Sequence, residues 1–219
     1  MQPRHIGGRS RGRTALTVIL SLLAVLLAVF CILSWMLFSD PNAGVSLPKP
    51  SDTAVSKVAA ASISGRETAL TPEEVGGWLN GLLQDNAETS SRMGVSALSV
   101  TAGKDSTANV YFPVKYKGKR FGVLVNLAPS FDSTSEEMKF AVRSVKVGRL
   151  PIPVSTALNF AEKRLPSILS RQGNTLVCST KSLFLVPVSG ISAQLKMTSL
   201  RMQDGIFYTK FMPSVRQTG

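Results

Sequence analysis

An uninterrupted apolar run, Thr14–Phe38, constrains this chain more than any other feature. The run is 25 residues long, carries no charged side chain and contains neither glycine nor proline. A helix of that length rises about 37 Å, enough to cross the hydrocarbon core of a bilayer with some tilt. A soluble helix would normally carry a polar face, and this one has only isolated Thr and Ser. We therefore predict a transmembrane helix over residues 14–38.

The charges on either side of the run predict its orientation. Four arginines precede it, whereas the flank that follows has one acid and no base before Lys49. The positive-inside rule places the tail, residues 1–13, in the cytoplasm and the remaining chain outside the cell membrane. The alternative is a cleaved signal peptide, whose apolar core is usually about 7–15 residues long and ends at a small-x-small site. Here the run is longer and the nearest such site has Pro41 at its −3 position, so we expect an uncleaved anchor.

Beyond the run, the sequence predicts a linker and one extracytoplasmic domain. Residues 39–58 hold three prolines among small polar side chains, which is typical of a semi-extended linker. The remaining 161 residues, 59–219, suit a single domain.

Signals for helix and strand alternate within this domain. Residues 71–74, TPEE, fit a capped helix start with proline at the first helical position, and an apolar stripe over residues 75–83 continues that helix. A second helix is predicted after the prolines of residues 151–153. Elsewhere the apolar period is two, with a hairpin turn at residues 117–119. Runs of strands joined by short turns predict an α+β fold, with a mainly antiparallel sheet packed on two helices.

The residue inventory argues against catalysis. His5 is the only histidine and lies in the predicted tail, so the domain lacks a histidine base, a Ser-His-Asp triad and a His-containing zinc site. Cys178 has no histidine to activate its thiol and is explained as a small buried residue. Carboxylates that are distant in sequence could still be paired by the fold, as in glycosidases. We predict a non-enzymatic protein with no catalytic residue, no metal and no cofactor.

Basic residues are concentrated in the second part of the domain. Residues 39–91 hold 3 basic and 7 acidic side chains, and residues 92–219 hold 18 and 6. Such a balance favours anionic partners, here lipid head groups or envelope polymers at the membrane. Basic residues among aromatics can also bind nucleic acid, but we expect none outside the cytoplasm. Lysines that only keep the hairpin edge soluble are an equally simple explanation. The hairpin residues predicted to contact head groups are Lys117, Lys119 and Arg120. A second basic cluster lies at residues 143–149.

Two stretches carry a resemblance to a known family: GRETALTPEEVGGWLN, residues 65–80, and VGRLPIPVSTALNFAEKRLP, residues 147–166. There the chain resembles the YpmS-like family of Gram-positive, membrane-anchored proteins of undefined function. The family's layout looks like the tubular lipid-binding folds, in which a curved antiparallel sheet wraps a helix around an apolar groove. The resemblance implies such a curved sheet here, by analogy of fold.

These observations lead us to expect a membrane-anchored extracytoplasmic protein that holds a lipid or a lipid-linked envelope component. The two apolar helices would line a groove, and the basic loops would touch anionic head groups. The alternative is a non-enzymatic envelope scaffold whose domain docks other envelope proteins. A continuous apolar groove would favour the first hypothesis, and a tightly filled core the second. The residues predicted to form the groove wall are Trp78, Leu82, Leu158 and Phe160.

Overall fold

An N-terminal apolar helix is followed by an α+β domain in the computed structural model, which confirms the predicted fold class. The structure describes residues 11–116, 118–163, 165, 168–180, 185–188 and 191–214. The helices are α1 (Arg11–Phe38), α2 (Thr53–Ser64), α3 (Pro72–Asp85), α4 (Ala87–Met93) and α5 (Val154–Glu162).

The described strands form two antiparallel sheets. They are β1 (Glu67–Leu70), β2 (Ser99–Ala102), β3 (Ala108–Tyr116), β4 (Lys119–Asp132), β5 (Glu137–Val147), β6 (Leu150–Ile152), β7 (Leu169–Gln172), β8 (Thr175–Ser179), β9 (Leu185–Val188), β10 (Ile191–Gln203) and β11 (Ile206–Ser214). The four-stranded sheet has the order β1-β11-β10-β9. The seven-stranded sheet has the order β2-β3-β4-β5-β8-β7, with β6 also paired to β5.

Helix α1 contains the predicted apolar run. Its segment Ser21–Phe38 is long and apolar enough to cross a membrane, a property that an N-terminal signal sequence shares. Large apolar side chains along this segment, such as Leu22, Leu26 and Phe30, are exposed rather than packed against the domain. An exposed apolar helix of this length is suited to a lipid environment.

Both predicted domain helices are present, as α3 and α5, and two further helices accompany them. The start of α3 is a capping box: Thr71 Oγ1 accepts from the Glu74 amide at 3.2 Å, and Glu74 Oε2 accepts from the Thr71 amide at 3.0 Å. Helix α2 begins at Thr53, within the segment expected to be a linker, and buries Ala54 and Val58 against the core.

Among the described residues, the buried apolar side chains form two clusters on one face of the long sheet. Alternate residues of β4 contribute to both: Val123 and Val125 to one, Leu127 and Phe131 to the other. The larger cluster fills the space between the two sheets and the helices α2 and α3. The smaller one lies under α5 and is centred on Leu158. Because side chains alternate along a strand, the opposite face of β3, β4 and β5 is left for polar residues.

Candidate functional site

The last turn of α1 lies directly against the turn between β5 and β6. The Arg149 amide donates a hydrogen bond to the Met36 carbonyl at 2.9 Å, and the Arg149 guanidinium lies 5.1 Å from the centre of the Trp35 ring. Gly148 has a φ of +60°, and a Cβ at this position would lie 2.5 Å from the carbonyl oxygens of Met36 and Leu37. Glycine therefore permits both the turn and the close approach of the helix end.

The β3–β4 hairpin contacts the same helix end. The ring of Phe38 stacks on that of Phe121 with 5.4 Å between their centres, and Lys119 Nζ lies 4.7 Å from the centre of the Phe38 ring. Of the predicted head-group residues, Lys119 is thus placed at the end of the apolar helix and Arg120 is exposed beside it. Lys117 lies outside the described residues. We call Trp35, Phe38, Lys119, Phe121 and Arg149 the helix-exit cluster.

Two residues after the helix, Asp40 fixes the chain to the outer face of the sheet. The Tyr111 hydroxyl donates to Asp40 Oδ2 at 2.7 Å, and the Asn42 amide donates to Asp40 Oδ1 at 2.9 Å. Tyr111 is only 4% exposed. Burial, then the hydrogen bond and charge of Asp40, raise the pKa of Tyr111 to about 12, and the Arg120 guanidinium opposes this rise. Gly122 lies beneath the Asp40 carboxylate, where any side chain would collide with it.

The joining segment, residues 39–52, is attached a second time at α3. The Asn80 side chain donates to the Pro48 carbonyl at 2.7 Å and to the Leu98 carbonyl at 2.9 Å, and it accepts from the Leu98 amide at 2.8 Å. Added Cβ atoms at Gly76 and Gly77 would lie 2.9 Å from Pro48 and 3.1 Å from the Lys49 carbonyl, respectively. These helical glycines therefore make room for the joining segment.

The residues predicted to line an apolar groove lie in two places. On α3, Trp78 packs against the larger apolar cluster and Leu82 is 37% exposed. On α5, Leu158 is buried in the smaller cluster and Phe160 is 61% exposed. Trp78 and Leu158 thus belong to separate clusters, and the groove stays a prediction.

A polar cleft of about 520 Å³ lies on the outer face of β3, β4 and β5. Asn109 and Asn126 face each other on β3 and β4, where Asn126 Nδ2 donates to Asn109 Oδ1 at 2.8 Å. The sequence indicated two of the cations around the cleft, Arg143 and Lys146 of the second basic cluster. It did not indicate the two asparagines that form the floor of the cleft. The hairpin turn contained the missing signal, because pairing Tyr116 with Lys119 sets the register that places Asn109 opposite Asn126. We call this the outer-face cleft; the residues used below are Lys104, Thr107, Asn109, Asn126, Arg143 and Lys146.

In the part of the chain that the structure describes, no group of three His, Cys, Asp or Glu side chains is placed to hold a metal ion. The Cys178 thiol is buried, and burial raises its pKa. Comparison with known protein families, curated proteins and solved structures gave no match to this chain. The resemblance to the YpmS-like family therefore has no support beyond its two short motifs.

Proposed function

We propose that this protein is a single-pass membrane protein whose extracytoplasmic domain lies on the bilayer surface and holds an anionic lipid head group or a lipid-linked envelope component. The observation that carries the proposal is the helix-exit cluster. It places two cations, Lys119 and Arg149, over the aromatic rings of Phe38 and Trp35 at the end of an exposed apolar helix. Aromatic side chains favour the interface of a bilayer, and a cation beside an anionic surface gains about 1 kcal/mol.

Retention of the helix is supported by its contacts with the domain. Cleavage near residue 40 would remove the Met36 carbonyl, which accepts a hydrogen bond from the Arg149 amide. It would also remove the Phe38 ring, which stacks on Phe121. It would leave a buried glycine turn and an aromatic ring without their partners. The arginines that precede the apolar run support a cytoplasmic N-terminus and an external domain.

Recognition of a head group is favoured over enclosure of an acyl chain. The apolar side chains on α3 and α5 contribute to separate clusters, whereas the cationic residues lie at the helix exit and on the adjacent outer face. A lipid could therefore keep its chains in the bilayer while its head group meets the domain. This arrangement needs no apolar groove of the tubular lipid-binding kind.

The test is selective retention of anionic lipid by the full-length protein. The protein is reconstituted into nanodiscs containing equal amounts of phosphatidylglycerol and phosphatidylcholine, released, and weighed by native mass spectrometry. We expect phosphatidylglycerol adducts to exceed phosphatidylcholine adducts, and the Lys119→Ala/Arg149→Ala variant to lose most of this excess.

The matched control is Lys49→Ala/Lys210→Ala, which removes the same charge away from the helix-exit cluster and should keep the preference. Equal adducts of both lipids on the unmodified protein would contradict the proposal. An equal loss in the control would also contradict it, because net charge alone would then explain the preference.

A further inference from the structure

The outer-face cleft carries a net positive charge that neighbouring acidic side chains do not balance. Lys104, Arg143 and Lys146 line it with one acid, Asp105. Within the described residues, none of these three cations is in an ion pair, although five other basic residues are. Three cations against one acid leave a net positive charge around the cleft, and an anion between the cations would relieve their mutual repulsion.

A β-bulge directs Arg143 into the cleft. The pairing of β4 with β5 shifts there, so that Asn126 faces Ser144 while Leu127 faces Val142, and Arg143 is the extra residue. In a regular strand Arg143 would point away from Ser144 and Lys146, yet all three line the cleft. Bulges often re-aim a side chain beside a functional site, which matches the placement found here.

The floor of the cleft is a fixed polar network. Asn126 Nδ2 donates to Thr107 Oγ1 and to Asn109 Oδ1, both at 2.8 Å. The bond from Asn126 fixes the Asn109 side chain. Asn109 Nδ2 itself makes only a long hydrogen bond, of 3.4 Å, to the Ala102 carbonyl. The Asn109 amide therefore has hydrogen-bonding capacity to offer a ligand oxygen.

The rim is a tight turn held in an unfavourable backbone conformation. Asp105 and Ser106 have φ values of +53° and +58°, a region that favours glycine, and the Thr107 amide closes the turn on the Lys104 carbonyl at 3.1 Å. Thr107 Oγ1 donates to the same carbonyl at 2.6 Å. The turn thus fixes the backbone of Lys104 at the mouth of the cleft.

We infer that the outer-face cleft binds a phosphate-bearing group, with Arg143 and Lys146 as its principal ligands. A guanidinium fork matches the oxygens of a phosphate, and a site with a local charge of about +2 suits a mono- or dianion. The volume, about 520 Å³, exceeds what a bare phosphate fills and leaves room for an attached glycerol or sugar.

The place of the cleft suggests a source for the phosphate. Leu124, which lines it, is two residues along β4 from Gly122, the residue beneath Asp40. That spacing is about 7 Å, so the cleft opens beside the point where the chain leaves α1. The inference deepens the proposed function and rests on it only for a lipid as the source; a free or polymer-borne phosphate has the same chemistry.

The experiment measures phosphate binding and lipid preference separately on the full-length protein. In phosphatidylcholine nanodiscs, glycerol 3-phosphate and inorganic phosphate are titrated by calorimetry, and the phosphatidylglycerol preference is measured as above. We expect Arg143→Gln/Lys146→Gln to weaken glycerol 3-phosphate binding at least tenfold, since charge-assisted hydrogen bonds are lost. Lys119→Gln/Arg149→Gln should change that binding less than twofold. Unchanged melting temperatures establish that the variants fold.

The outcomes separate the inference from the proposed function. Loss of both glycerol 3-phosphate binding and lipid preference in the cleft variant supports a lipid phosphate as the ligand. Loss of glycerol 3-phosphate binding with the lipid preference retained supports a soluble or polymer-borne phosphate. If glycerol 3-phosphate does not bind, or binds the cleft variant equally well, the inference is overturned. The lipid preference of the helix-exit cluster would then still support the proposed function by itself.

Discussion

The two attachments of the joining segment, residues 39–52, use different chemistry. At the helix exit, the Asp40 carboxylate accepts a hydrogen bond from the Tyr111 hydroxyl, and neighbouring contacts place cations over aromatic rings. At α3, the Asn80 side chain donates a hydrogen bond to the Pro48 carbonyl, and Asn80 is 3% exposed. The first attachment depends on charged groups near the surface, whose strength varies with salt and with an adjacent membrane. The second is a hydrogen bond between uncharged groups from a buried side chain, so it depends much less on salt.

This difference assigns the two attachments separate roles. The attachment at α3 forms part of the fold, because α2 begins directly after it and buries Ala54 and Val58. The attachment at the helix exit sets how the domain meets α1. A chain fixed at both ends does not behave as a flexible tether, so the domain is held close to the end of α1.

The largest effect is expected at the α3 attachment, from Asn80→Ala. The change removes three partly buried hydrogen bonds and leaves the carbonyls of Pro48 and Leu98 and the Leu98 amide without that partner. We expect the free energy of unfolding to fall by about 3 kcal/mol, measured by denaturant unfolding in detergent. Asn86→Ala, an exposed asparagine with one hydrogen bond to Leu82, is the control and should cost under about 1 kcal/mol. Equal losses would show that Asn80 has no special anchoring role.

An intermediate effect is expected at the helix exit from Gly148→Ala. The added Cβ would meet the carbonyls of Met36 and Leu37 in a left-handed turn. Because alanine is disfavoured in this backbone region and its Cβ would push against the end of α1, we expect a loss of about 2 kcal/mol together with faster hydrogen exchange at the Arg149 amide. Gly173→Ala is the matched control: its φ is +61°, and no atom of the described residues lies within 4 Å of the added atom. If Gly173→Ala costs as much and the Arg149 amide exchanges no faster, the helix end does not press on Gly148.

Local signals in the sequence were sufficient for several elements. The TPEE motif predicted the start of α3 because a capping box is formed by four neighbouring residues, and it is observed. The prolines of residues 151–153 likewise predicted the start of α5. Helix α3 also contains Gly76 and Gly77, whose role depends on distant contacts. Gly76 lies near Val100 of β2, but the closer neighbours of both glycines belong to the joining segment.

Long-range contacts were beyond the reach of sequence patterns. Helix α2 begins within the segment predicted to be a linker. Sequence patterns missed it because its small residues gain their stability from packing against β11 rather than from propensity. The cleft needed both the hairpin register and the bulge at Arg143, and bulges have no dependable sequence signal. The basic cluster at residues 143–149 was recognised as a unit, yet the structure divides it between the cleft and the helix exit.

The smallest effect is expected from Tyr111→Phe, which removes the hydrogen bond to Asp40 and preserves the ring. Since Asp40 keeps the Asn42 amide as a partner, we expect a loss of about 1 kcal/mol at neutral pH. The pKa of Tyr111 is raised to about 12, so the unfolded chain releases the phenolic proton at a lower pH than the folded protein does. The contribution of Tyr111 to the free energy of unfolding is therefore complete below about pH 10 and is lost as the pH rises toward 12. The difference in unfolding free energy between the unmodified protein and Tyr111→Phe should therefore shrink over that range. Tyrosinate absorbance should show a late-titrating group that only the unmodified protein has. A constant difference from pH 8 to about pH 12 would show that the exit attachment does not depend on the Tyr111 proton.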